Sequence, residues 1–272
     1  MIDFKFSVLM AVYKKDDPDL FLKALESVFS NSLIPNEFVL VADGMLTCEL
    51  YSIIDSFRNK QFFKVIQLEN NMGLATALNE GMRHITYEWV FRADSDDHNL
   101  KDRFFSLASV IADSKFKLSI IGSYVSEHDK NGKYLSLKKV PTDYNSIVKY
   151  ISIRNPFNHM SVAFTKSAFN TVGGYPNVYL KEDYALWILM LGNNLRGINI
   201  PLPLVEATTG DNFYVRRSGW RSAISELIIY KLLFRNGFAS SPLTFFVFLC
   251  RFLILILPSF MIKIVYIFFL RR

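Results

Sequence analysis

Phe6–Val12 is a nearly unbroken apolar run, the pattern of a strand buried on both faces of a parallel sheet. Asp16 to Asp19, with Pro18 inside it, supplies a helix start for an amphipathic stretch over Leu20–Phe29. Pro35 interrupts the chain before a second buried run, Phe38–Ala42. The alternation then continues: a helix over Leu46–Phe57, a strand over Phe63–Leu68, a helix over Leu74–His84 and a strand over Trp89–Ala93. Strand and helix alternating four times predict a doubly wound α/β sheet, which receives its ligands at the carboxyl ends of its strands.

Beyond Leu118 the rhythm changes. Leu118–Tyr124 and Lys133–Val140 flank Asp129-Lys130-Asn131-Gly132, and the Asn-Gly pair predicts a hairpin. Pro156–Phe164 is expected to return a strand to the sheet, Gly173-Gly174-Tyr175-Pro176 to turn the chain, and Glu182–Leu191 to form a helix with an acidic first turn. Leu243–Leu270 is almost wholly apolar, carries only Arg251 and Lys263, and is split by Pro258 into segments shorter than the ~20 residues of a spanning helix. A buried core helix and attachment to one membrane leaflet both fit this stretch, and its missing polar face favours the membrane. The division expected is a catalytic domain over 1–212, a basic connecting segment over 213–241, and a membrane-associated helical tail over 242–272.

Composition adds little to that outline. The 272 residues are 51% hydrophobic and carry a formal net charge of +6, which suits anionic partners without choosing among them. The basic residues are dispersed and form no recognised nucleic-acid module, so no nucleic-acid partner is expected. Two cysteines 202 positions apart, Cys48 and Cys250, offer neither a disulfide framework nor a zinc spacing. Met1 to Lys5 leads straight into the first strand with no secretory leader, so the catalytic part is expected in the cytosol.

Chemistry concentrates at three strand ends. Asp94-Ser95-Asp96-Asp97 places three carboxylates after an apolar strand, and acids so close repel unless a cation neutralises them. Hard oxygen ligands suit Mg²⁺ or Mn²⁺ holding a diphosphate, although an acidic helix start gives the same letters. Asp43, followed by Gly44, is either a ribose or base acceptor or an ordinary turn. Asn71-Met72-Gly73 opens the third helix, where a bent backbone and free N–H groups favour anions, and Asn79 inside that helix needs a partner.

These pieces in this order resemble the family 2 glycosyltransferases from Phe6 to about Arg217. The resemblance rests on the first strand with Tyr13, on Val41-Ala42-Asp43-Gly44, on Asn71-x-Gly73-x-x-x-Ala77-x-Asn79 and on Asp94-Ser95-Asp96, which looks like the family's Asp-x-Asp motif. It also takes in Glu182-Asp183-Tyr184-Ala185-Leu186-Trp187. The resemblance implies a GT-A fold and inverting transfer of a hexose from a UDP-sugar with Mn²⁺ or Mg²⁺. Ala11, Tyr13 and Asp43 would line the uridine pocket, with Asn71 and Gly73 beside it. Asp94 would face the ribose, Asp96 would hold the metal, and Asp183 would be the base. Arg216 and Arg217 would close over the diphosphate, or meet anionic lipid. The chain departs from the pattern at Thr76 and Leu78, where many members carry a basic residue, and at Met45, where Ser or Pro is common. His159 is open between a core histidine and an acceptor contact.

The similarity is greatest to bacterial enzymes that extend sugars on undecaprenyl diphosphate for O-antigen or exopolysaccharide. It implies a lipid-linked acceptor met on the cytoplasmic face of the inner membrane, with the tail peripheral or monotopic. The acids alone also fit a nucleotidyltransferase or phosphatase, and the tail alone fits a non-catalytic membrane adaptor. Neither alternative accounts for the Glu182-Asp183 segment together with the intact acids.

Overall fold

The computed structural model describes residues 4–209 and 219–256. The chain runs β1 (Phe6–Val12), α1 (Pro18–Phe29), β2 (Glu37–Ala42), α2 (Cys48–Phe57), β3 (Phe63–Gln67), α3 (Leu74–Arg83) and β4 (Trp89–Arg92). It continues through β5 (His98–Asn99), α4 (Arg103–Asp113), β6 (Ile120–His128), β7 (Tyr134–Lys138), α5 (Tyr144–Tyr150), β8 (Ala163–Thr165) and α6 (Lys166–Thr171). It closes with α7 (Glu182–Gly192), β9 (Gly197–Thr208), α8 (Trp220–Arg235) and α9 (Pro242–Ile256).

The strands join in one sheet in the order β3-β2-β1-β4-β8-β6-β9-β5, with β7 on β6. The first four are mutually parallel. Because the chain winds outward from β1 through β2 to β3 and then returns to pair β4 on the other side of β1, the winding reverses at β1. Such a reversal opens a crevice at the carboxyl ends. Period-two alternation along β1 divides the core: Val8, Met10 and Val12 join α1, α2 and α4 on one face, while Leu9 joins α3 and α7 on the other.

The three β/α repeats, the fourth strand and the hairpin lie where the hydrophobic pattern predicts, and Gly132 sits in the turn with φ 80°. The expected strand over 156–164 is largely absent, for only Ala163–Thr165 pairs, antiparallel to β4 and β6. Side chains replace the ladder ahead of it. The Ser123 carbonyl accepts from Asn158 Nδ2 at 2.9 Å and from Ser161 Oγ at 3.1 Å, and the Ser123 amide donates to Ser161 Oγ at 3.1 Å. The segment 213–241, read as a connector, contains α8, whose Ile229 and Leu233 are buried in the same cluster as Trp187 of α7. No helix among the described residues is long and apolar enough to cross a membrane.

Candidate active site

The carboxyl edge of the parallel strands gathers the residues that the motifs single out. Register pairs Ala11 with Val41 and Leu9 with Arg92. Ala11 and Tyr13 therefore emerge between Asp43, just past β2, and Asp94, just past β4.

Asp43 is bound to the Asn-x-Gly turn. Its Oδ1 accepts from the Met72 amide at 2.7 Å and its Oδ2 from the Gly73 amide at 3.0 Å, while Asn71 Nδ2 donates to the Asp43 carbonyl at 3.2 Å. Gly73 gives α3 no side-chain cap, so this carboxylate takes the place of one, capping from another element. Gly44, at φ 84°, lies where a Cβ would come within 2.6 Å of the Asn71 nitrogen, which excludes any larger residue. Asn79 finds its partner in the Gly-Gly-Tyr turn: Nδ2 donates to the Tyr175 carbonyl at 2.9 Å and Oδ1 accepts the Tyr175 amide at 2.8 Å.

The acidic run separates into distinct environments. Asp97 is buried and accepts from the Thr208 amide at 3.0 Å, and burial with the nearby charges of Asp96 and Asp94 holds its carboxyl well above the usual range. Asp94 is partly exposed and paired with Arg92, and Asp96 is exposed. Two guanidinium groups are buried beneath them. Arg92 donates to the Leu9 carbonyl at 2.8 Å, to the Ala93 carbonyl and to Asp94. Arg103 donates to Asn99 and, at 2.6 Å, to the Arg92 carbonyl, and burial lowers its pKa to about 9. Asp16 is a fourth acid here, accepting from Ser95 Oγ at 2.7 Å and from the Tyr13 amide at 3.1 Å; burial raises it to about 6. Sequence reasoning used Asp16 only as part of a helix start, and its place right after β1 was the available signal.

Among the described residues no three acids, histidines or cysteines converge as a closed metal cage. An exposed carboxylate suits Mg²⁺ or Mn²⁺, which draw further ligands from water and phosphate. Asp96 fits that requirement, whereas Asp94 is paired with Arg92 and Asp97 is turned inward to Thr208.

Glu182 and Asp183 open α7. Asp183 Oδ2 accepts from Asn155 Nδ2 at 2.7 Å and Oδ1 from the Tyr184 amide at 2.7 Å. Burial, then the charge of Asp183, lifts Glu182 to about 7, and Asp94 adds to the same effect. The two acidic groups therefore lie within each other's field. His159 occupies the ground between them: its Nε2 accepts from Arg92 Nε at 3.3 Å and meets Tyr175 Oη at 2.9 Å. Burial, then Arg92, lowers its pKa to about 4. It is a neutral core histidine joining the two halves of the site. Arg216 and Arg217 lie outside the described residues.

The family model described as "Glycosyl transferase family 2" matches residues 7–172. A UDP-Gal:alpha-D-GlcNAc-diphosphoundecaprenol beta-1,3-galactosyltransferase of Escherichia coli is 43% identical over 237 residues, covering 87% of this chain and 86% of the relative. The amylovoran biosynthesis glycosyltransferase AmsE of Erwinia amylovora is 34% identical over 89% of this chain and 91% of its own. The fold matches S. aureus TarS 1-349 in complex with UDP-GlcNAc at TM-score 0.65 and 21% identity, over 85% of this chain and 66% of that one. It also matches a Pyrobaculum calidifontis mannosyltransferase in complex with GDP-Man and Mn²⁺ at TM-score 0.65 and 17% identity, over 89% and 68%. The chain belongs to glycosyltransferase family 2, and its fold is of the GT-A type. It is a hexosyltransferase.

Proposed function

We propose that the chain transfers galactose, with inversion, from UDP-galactose to an N-acetylglucosamine carried on a lipid diphosphate, at the cytoplasmic face of a bacterial membrane. The observation that carries this reading is one buried network, Arg92–His159–Tyr175, that lies in the field of both acidic groups: Asp94 at the donor strand end and Asp183 on α7. The choice of sugar and acceptor rests on the name of the relative that is 43% identical.

On the donor side Ala11, Tyr13 and Asp43 line the uridine pocket, Asn71 and Gly73 hold its edge, and Asp94 meets the ribose. Asp96 would hold Mn²⁺ or Mg²⁺, which would supply charge neutralisation for the departing diphosphate. Arg216 and Arg217 extend that neutralisation. On the acceptor side Asp183 takes the proton of the attacking hydroxyl as the new bond to the anomeric carbon forms and the bond to UDP breaks. Asn155 orients its carboxylate. A second assignment has one observation in its favour. Burial and the charge of Asp183 raise the Glu182 carboxyl to about 7, toward the range where a general base works best, so Glu182→Gln is compared with Asp183→Asn.

The decisive experiment is transfer from UDP-glucose, UDP-galactose and their N-acetyl forms to a synthetic GlcNAc-diphospho-lipid. UDP-galactose is expected to lead. Transfer from none of the four, with intact UDP binding, overturns the acceptor. Release of phosphate from a nucleotide without sugar transfer favours a phosphatase instead.

A further inference from the structure

We infer that Asp16 is a positioning residue for the donor: it clips the turn that carries Tyr13 to the Asp94-Ser95-Asp96 turn, so that uridine and diphosphate are received in one fixed geometry. The inference rests on the donor assignments above. Asp16 closes its own turn in both directions. Its amide donates to the Tyr13 carbonyl at 3.0 Å, and its Oδ2 accepts the Tyr13 amide at 3.1 Å, the pattern of a turn reinforced by an aspartate side chain. The same Oδ2 also accepts from Ser95 Oγ at 2.7 Å, across 79 positions of chain. One carboxylate oxygen thereby holds the loop after β1 and the loop after β4 together.

Two comparisons argue that this bond serves the donor site and not the start of α1. The first is with the next residue. Asp17 caps α1 from an exposed position, its Oδ1 accepting the Asp19 and Leu20 amides at 3.0 and 3.3 Å. The helix therefore makes no demand on Asp16. Asp16 sits deeper, where burial and the charge of Asp94 both act against a carboxylate. Charge-assisted bonds to two loops offset that cost. The second comparison is along the acidic run. Arg92 holds Asp94 from β4, and the Thr208 amide holds Asp97 from β9. Ser95 ties the run to the turn after β1, the side on which Ala11 and Tyr13 emerge. Ser95 is buried in making this bond, while its neighbour Asp96 is exposed. The middle residue of the motif thus faces the protein and the last one faces solvent.

The test measures UDP affinity of the full chain by calorimetry in the presence of Mn²⁺, with KM for donor and acceptor alongside. Asp16→Ala and Ser95→Ala should each weaken UDP about tenfold, the equivalent of one charge-assisted hydrogen bond. The double variant should be no weaker than Asp16→Ala, because both substitutions break the same contact. KM for the UDP-sugar should rise in step while KM for the acceptor stays the same. Asp16→Asn keeps an acceptor oxygen and should recover most of the affinity. A double variant weakened about a hundredfold makes the two residues independent and overturns the clip. Unchanged affinity in Ser95→Ala confines Asp16 to its own turn and overturns it too. A loss in Asp16→Asn as large as in Asp16→Ala makes the charge itself the contact, and the positioning role falls. Should Asp16→Ala not fold, the other two single variants decide: UDP weakened in Ser95→Ala and kept in Asp16→Asn supports the clip, and any other pair of results overturns it. If the wild type does not bind UDP, the donor reading fails and not merely the clip.

Discussion

At the scale of single residues, the site is organised by buried cations beneath a run of strand-end acids. Arg92 and Arg103 explain how Asp94, Asp96 and Asp97 share one strand end: part of the compensating charge comes from the protein itself. The metal role of Asp96 predicts that chelation by EDTA abolishes transfer and that Mn²⁺ or Mg²⁺ restores it. Asp96→Ala should remove nearly all turnover with an unchanged circular-dichroism spectrum, and full activity in EDTA contradicts the assignment. Asp183→Asn should lower kcat by ~10² to 10⁴ while UDP affinity, measured by calorimetry, persists. Wild-type turnover in Asp183→Asn with loss in Glu182→Gln transfers the role to Glu182. Much of the site was legible as letters, because strand-end acids and the Glu-Asp pair are local patterns. What Asp43, Asn79 and His159 do was not, because each acts on a partner supplied by the tertiary fold. Asn79 and Tyr175 are 96 positions apart, and no spacing rule connects them.

At the scale of elements, the parallel strands were readable because burial on both faces leaves continuous apolar runs. β9 went unread because Pro201 and Pro203 interrupt it, and proline ordinarily argues against a strand inside a sheet. The sheet accommodates them where the β6–β9 register shifts, at Ser123 to Val125. The sequence pattern sets the tail apart from the catalytic unit. In the structure Arg251 Nη1 lies 3.5 Å from Glu226 Oε1, and Glu226, buried on α8, also pairs with Lys181 at the head of α7. Tyr230 and Phe248 stack at 4.5 Å between α8 and α9. A chain ending at Phe238 loses both contacts. It is expected to remain folded and bind UDP, because the donor edge packs elsewhere, but to lose kcat as Lys181 and Glu226 relax. Arg251→Ala in the full chain should reproduce part of that loss. Unaltered kcat in both, measured on a short soluble acceptor, would show that α9 serves only attachment.

At the scale of the whole molecule, the donor and acceptor halves meet through a histidine that the fold keeps neutral. His159 titrates near 4 in the folded chain against an ordinary 6.5, through burial and then Arg92, with Asp94 and Asp183 opposing. Between those values the unfolded chain binds the extra proton. The contribution of His159 to stability is therefore complete above pH 6.5 and is lost as pH falls toward 4, on the order of 3 kcal/mol over the window. Asp16 and Glu182, raised to about 6 and about 7, work in the opposite direction, so the comparison is made against His159→Gln. Urea titrations at pH 7 and pH 5 should show a smaller loss on acidification in the variant than in the wild type. Equal losses would remove His159 from the account.

The knot of Asp43, Gly44, Asn71 and Gly73 has a practical consequence for redesign. Its four positions are tied through backbone groups, so substitutions there are paid in folding before they can alter chemistry. Met45 follows the knot and Met72 joins it only through its amide, and both side chains are largely exposed. A library that randomises these two methionines and leaves the knot intact should yield mostly folded clones with a redistributed choice among UDP-sugars. One directed at Asp43 and Gly44 should yield mostly insoluble protein.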